Sequence, residues 1–99
     1  MFTREEILHY LRKNKKLFRE KYNIIKIGIF GSYARNEQTE KSDIDIIIEM
    51  SPDTENIFEK RIELKELIQK KFSKEVDICH AKAIKPVFKD LIFDETIYV

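Results

Sequence analysis

GIFGSYARNEQTEKSDIDIIIE, Gly28 to Glu49, is the stretch whose reading decides the fold. It holds both glycines of the protein, Gly28 and Gly31, and then two aspartates, Asp43 and Asp45, one residue apart at the head of an apolar run. Ile24 to Phe30 is rich in β-branched residues, with Ile25, Ile27 and Ile29 on one side, and reads as a strand. Gly28 weakens that strand and marks a place where another backbone or a ligand comes close. Gly31 lets backbone amides approach an anion. Ser32 adds a hydroxyl and an amide at the start of a short helical turn, Ser32 to Arg35, where free N–H groups favour negative charge. Asn36 to Lys41 is a polar loop.

Asp43 to Met50 reads as a second strand. Asp43, Asp45, Ile47 and Glu49 fall on one face, and Ile44, Ile46, Ile48 and Met50 on the other. Two ionised carboxylates side by side repel. A hard cation such as Mg²⁺ removes that conflict, because it takes carboxylate oxygens together with phosphate oxygens of a substrate. A pair of such ions suits phosphoryl or nucleotidyl transfer. The plainer alternative is a strand entry with exposed acids. Asp77 is a third acid, set in the otherwise apolar strand Glu75 to His80, where a carboxylate is costly unless paired or metal-bound. Alone it would read as an edge-strand acid; with the turn and the Asp-x-Asp strand it completes a constellation.

Working outward, Thr3 and Glu6 form a capping-box pattern. Ile7, Leu8, Leu11, Phe18 and Tyr22 then outline one apolar stripe on a helix of roughly 18 residues. Arg12, Lys13, Lys15, Lys16, Arg19 and Lys21 lie off the stripe and read as a solvated face. After Ser51-Pro52, Asp53 or Thr54 can cap a second helix running to about Phe72. Its stripe centres on Ile57, Leu64, Ile68 and Phe72, flanked by Phe58, Ile62 and Leu67. Arg61 falls in mid-stripe, either snorkelling to the rim or directed at the acids or a phosphate. Pro86 opens a last helix to about Asp94 with Phe88, Leu91 and Ile92 as its apolar side. Thr96 to Val99 is a tail or a short edge strand.

Ninety-nine residues form one small domain. Hydrophobic residues at 42% and charged residues at 37% fit a globular protein with a dense surface charge. A net charge of +1 carries no basic excess for gripping long nucleic acid. A single cysteine, Cys79, excludes an internal disulfide. Without a signal peptide or long apolar span, the expected compartment is cytoplasmic. His9 reads as surface. His80 has no second ligand at zinc spacing. Tyr33, beside Ser32, falls near any phosphate ligand held by the turn, and Lys82 and Lys85 could reach such a ligand but read first as solvated.

Gly31-Ser32, ten residues, then Asp43-Ile44-Asp45 resembles the signature of the DNA polymerase β-like nucleotidyltransferase superfamily. Gly31-Ser32-Tyr33-Ala34-Arg35, Ser42, and the ending Lys85-Pro86 through Tyr98-Val99 resemble its minimal branch, the MNT-domain antitoxins paired with HEPN-domain toxins. The resemblance covers nearly the whole chain, taken as a single minimal nucleotidyltransferase domain. It implies an α/β (α+β) fold, a small mixed β-sheet packed by helices, with two Mg²⁺ ions and ATP as substrate. It implies that Gly31 and Ser32 contact the nucleotide's phosphates, and that Asp43, Asp45 and Asp77 bind metal and carry catalysis. Arg35 joins the cofactor-binding residues, with pairing to Glu37 or Glu40 as the alternative. Asn36 stands where many members have glycine, a left-handed position that Asn tolerates. The implied activity is transfer of AMP to a tyrosine of a HEPN RNase toxin. The alternatives are an antitoxin that neutralises by stoichiometric binding, and nucleotidyl transfer to a small molecule or RNA with a partner subunit. A free sheet edge also admits a homodimer.

Overall fold

The computed structural model describes residues 2–99. Helix α1 (Arg4–Lys13) starts on the expected capping box: Glu6 N–H donates to Thr3 Oγ1 at 3.1 Å, and Thr3 N–H to Glu6 Oε1 at 3.2 Å. The single long helix expected here is divided. Asn14, with φ −105° and ψ 11°, leaves the helical backbone, and its Nδ2 donates to Tyr10 O at 2.8 Å. That short polar side chain competes with the helical ladder. α2 (Lys15–Tyr22) resumes behind it and stops at Asn23, which is left-handed.

β1 (Ile24–Phe30) and β2 (Ile44–Met50) pair antiparallel. An irregularity between Ile24 and Lys26 turns Ile25 outward, so the buried residues are Ile24, Ile27 and Ile29 rather than Ile25, Ile27 and Ile29. β2 begins at Ile44, leaving Asp43 just outside the strand. Between the two strands, α3 (Gly31–Ala34) is one helical turn, and Asn36 beyond it is left-handed with φ 59°.

α4 (Ile57–Phe72) connects β2 to β3 (Val76–His80), which pairs parallel with β2 as such a crossover requires. The helix starts later than the expected Asp53 or Thr54. Thr54 spends its hydroxyl on Ser51 O at 2.6 Å, and Asn56, in a left-handed conformation, precedes the helix without a side-chain cap. Leu64, Ile68 and Phe72 are buried as expected, whereas Ile57, Phe58 and Ile62 stay exposed. Phe58 and Ile62 instead line a groove at β3, the outer edge of the sheet.

After a 3₁₀ turn (Ala81–Ala83), α5 (Pro86–Glu95) places Pro86 at its first position. Its expected apolar side does not enter the core: no residue of α5 is buried. β4 (Ile97–Tyr98) closes the sheet in the order β3-β2-β1-β4. The close approach expected at Gly28 is the β4 backbone, since a methyl group there would stand 2.5 Å from Ile97 O.

The core joins Ile7 and Leu11 of α1, Phe18 and Tyr22 of α2, and Leu64, Ile68 and Phe72 of α4 to the buried residues of the sheet. From β2 it takes Ile44, Ile46, Ile48 and Met50. Each such side chain contributes about 1.5–3 kcal/mol when fully removed from water. The odd-numbered residues of β2, Asp45 first among them, point to the opposite face.

Candidate functional site

Strand pairing assembles the site. Asp45, the second residue of β2, lies opposite Phe30, the last residue of β1. Gly31 and Ser32 follow Phe30 directly, so the turn opens beside the Asp45 carboxylate. Gly31 has φ +73°, and a methyl group there would overlap Asp45 Oδ2 and stand 3.1 Å from Cγ. On its other side Asp45 pairs with Asp77 of β3. Asp43 is exposed in the loop at the head of the strand. The three acids expected together therefore share one end of the sheet, although Asp43 is not held by strand pairing.

The electrostatics follow from that crowding. Burial, and then Asp77, Asp43 and Glu95, push the Asp45 carboxyl up to about 6, and Arg35 opposes the shift. Asp45 therefore meets a negative field that Arg35 only partly compensates. Among the described residues no three His, Cys, Asp or Glu side chains converge into a closed ligand group. The donor set is instead open, made of hard oxygens with charge to spare. That fits Mg²⁺, which keeps several waters and binds through one or two carboxylates plus substrate phosphates.

Arg35 has a partner that sequence reasoning missed. Its Nη1 donates to Glu95 Oε2 at 2.7 Å, and its Nε lies 3.5 Å from Glu37 Oε2. Of the two loop acids expected as partners, Glu37 is engaged. Glu40 instead accepts from Lys74 Nζ through its backbone oxygen at 2.9 Å. Glu95 Oε1 also accepts the Gly31 N–H at 3.0 Å. The signal that could have found Glu95 is weak: an acid at the end of a helix opposes the dipole and asks for a cation. No local pattern identifies the cation.

The other candidates separate. Tyr33 is fully buried in the core, not beside an open nucleotide site, and its hydroxyl has no partner among the described residues. Arg61 donates to Ile78 O at 2.9 Å, covering a free carbonyl on the sheet's edge rather than reaching for the acids. It shares with Phe58, Ile62, Lys65, Ile78 and Asp77 a groove of 310 Å³. His80 Nδ1 accepts the Lys82 N–H at 3.2 Å, and burial followed by Lys82 and Arg61 lowers its pKa. Burial raises the Cys79 thiol, which keeps it protonated and unreactive. His9, Lys82 and Lys85 are exposed. No described helix is long and apolar enough to cross a membrane.

A family profile for the nucleotidyltransferase domain matches residues 11–99. A Methanocaldococcus jannaschii protein described as a candidate protein adenylyltransferase is 49% identical, covering 100% of both chains. The protein adenylyltransferase MntA of Thermococcus cleftensis is 34% identical, covering 100% of this chain and 98% of its own. A solved structure described as a minimal nucleotidyltransferase superposes with a TM-score of 0.79 at 21% identity, covering 97% of this chain and 95% of its own. A complex of a tri-AMPylated Shewanella oneidensis HEPN toxin with its MNT antitoxin superposes with a TM-score of 0.58 at 22% identity, covering 96% of this chain and 66% of that one.

Proposed function

The chain belongs to the nucleotidyltransferase domain family, and on that premise we propose that it transfers AMP from ATP to a tyrosine hydroxyl of a HEPN toxin and so acts as an antitoxin. The observation that carries this is the contact between the turn and the acids: the Asp45 carboxylate lies against Gly31, with Asp77 on the next strand. A phosphate gripped at the turn would meet that row of carboxylates. Full-length likeness to a protein adenylyltransferase supports a protein acceptor, and likeness to the MNT partner of an AMPylated HEPN toxin supports the choice of toxin.

In this reading the turn opened by Gly31 holds the triphosphate, with Ser32 as its donor, since the Gly31 N–H is engaged by Glu95. Asp43, Asp45 and Asp77 would hold Mg²⁺, which when bound supplies neutralisation of the phosphate and pyrophosphate charge. Asp77 is exposed and borders the groove beside β3, so an incoming hydroxyl can reach it and give up its proton there. The hydroxyl oxygen bonds the α-phosphorus as the α–β anhydride breaks, and pyrophosphate leaves from the turn. Positioning and charge account for most of the acceleration.

Incubation with ATP labelled at the α-phosphate, Mg²⁺ and a candidate HEPN toxin tests the proposal. Label should appear on the partner with wild type and vanish with Asp45→Ala or Asp77→Ala. Equal labelling by all three proteins would refute it. One observation favours the second reading, neutralisation by binding alone: α5 presents Val87, Phe88 and Leu91 at 79%, 51% and 68% exposure. That reading requires Asp45→Ala to neutralise the toxin in full without AMP transfer.

A further inference from the structure

The turn after β1 is too short to hold itself. α3 has four residues, and a single helical turn fixes several dihedrals for very few hydrogen bonds. One carboxylate, 64 residues from Gly31 along the chain, grips both ends of it. Glu95 Oε1 accepts the Gly31 N–H at 3.0 Å, and Glu95 Oε2 accepts from Arg35 Nη1 at 2.7 Å. Arg35 is the residue that ends α3, and its own N–H donates to Gly31 O at 3.1 Å. The clamp leaves Ser32 outside it.

We infer that Glu95 is a positioning residue for the nucleotide's phosphates: it fixes the Gly31 peptide and the Arg35 guanidinium so that the turn is formed before ATP arrives. This rests on the reading of the turn as the phosphate site. Fold stability is a poor explanation for the contact. The Arg35 and Glu95 side chains are 44% and 21% exposed, and an ion pair in that setting contributes little. The placement is also electrostatically unfavourable in two respects. The acid sits at the wrong end of a helix dipole, and it adds to the negative charge around Asp45. Geometry at the turn is what the contact supplies in return.

Calorimetric titration with the ATP analogue AMP-PNP and Mg²⁺, alongside NMR hydrogen exchange at the Gly31 amide, tests the inference. Glu95→Ala should remove the protection of that amide and weaken AMP-PNP binding roughly tenfold, as expected for loss of a charge-assisted hydrogen bond. Glu95→Gln should fall between, since its amide oxygen can still accept from Gly31 but its NH₂ cannot accept from Arg35. Asp94→Asn removes the same charge from the exposed neighbouring residue and should bind as wild type does. Equal or tighter binding by Glu95→Ala would overturn the inference, because the carboxylate would then be idle or a competitor of the phosphate. A lower thermal midpoint with unchanged affinity would overturn it too. Wild type failing to bind AMP-PNP removes the underlying reading and the inference together; wild type binding with Glu95→Ala unaffected removes the inference alone.

Discussion

Replacing Asp45 by Asn should stabilise the metal-free protein and end its activity. Burial and three neighbouring carboxylates raise the Asp45 pKa from 3.8 to about 6. The native state therefore holds this proton more tightly than the unfolded chain does, and stability from this group is fully present below the unfolded value and lost as pH rises through 6. At about 1.36 kcal/mol per pKa unit, the ionised form costs the fold at most ~3 kcal/mol above neutral pH. Asp45 is half-buried, so solvent screening reduces this to about 1–2 kcal/mol. Urea unfolding of wild type and Asp45→Asn, in EDTA at pH 8 and again at pH 4, measures it. The variant should be the more stable by about 1–2 kcal/mol at pH 8, and most of the gap should close by pH 4, where the folded-state Asp45 carboxyl is protonated. Mg²⁺ with AMP-PNP should then raise the wild-type midpoint more than the variant's, since the variant lacks the half-buried Asp45 charge for the cation to relieve. A variant less stable at pH 8, or a gap that ignores pH, would refute the account of Asp45 as an electrostatically strained residue.

Gly31→Ala should lose nucleotide binding while keeping most of its fold, because φ +73° and the overlap with Asp45 Oδ2 force the turn or the carboxylate to move; titration with AMP-PNP and circular dichroism separate the two effects. Gly28→Ala puts a methyl group 2.5 Å from Ile97 O, so it should cost about 1–3 kcal/mol and speed exchange of the Val99 amide, which donates to Ile27 O at 3.1 Å across the β4 side. Arg61→Met should lose about 1 kcal/mol in chemical denaturation, from the Ile78 carbonyl left without its donor. Leu64→Ala, at a fully buried position, should cost about 2–5 kcal/mol by the same measurement.

Elements with a strict local code were readable from the chain. The alternation Ile44, Ile46, Ile48, Met50 placed the inner face of β2, and the structure buries all four. Thr3 with Glu6, and Pro86, located two helix starts. The turn at Gly31-Ser32 and the acidic head of β2 were each legible from their residues, and the family resemblance implied that they share one site. What failed depended on competition between local options or on contacts far apart in sequence. Asn14 breaks a helix whose apolar stripe continues across it, because the stripe reports burial and not backbone continuity. Ile25 turns outward at an irregularity that leaves no mark in a run of β-branched residues. Ile57, Phe58 and Ile62 read as core because apolarity at helical spacing cannot say whether a strand lies beneath; here β3 is the sheet's edge. Glu95 was invisible because both its partners lie more than fifty residues away.

The two sides of the proposed site differ in how firmly they are held, and the difference bears on the acceptor. Asp45 belongs to β2 and Gly31 follows directly on β1, the two central strands, and the ladder residues around them, Ile29, Ile44 and Ile46, are fully buried. A transfer reaction needs its donor fixed to within fractions of an ångström, and this is where the core can supply that rigidity. Asp77 is different. It lies exposed on the edge strand, beside a groove walled by Phe58 and Ile62 of α4. Across the sheet, β4 and the unburied α5 form the opposite margin. A small-molecule acceptor would want an enclosed cavity that buries most of its surface. An open groove flanked by exposed aromatic and aliphatic side chains suits an acceptor that brings its own walls, as a folded protein does. The chain reads best as the donor half of an active site whose other half arrives with the substrate. That is why removing an acid should abolish AMP transfer, whereas changing Phe58 or Leu91 should raise KM for the protein acceptor and leave affinity for ATP unchanged.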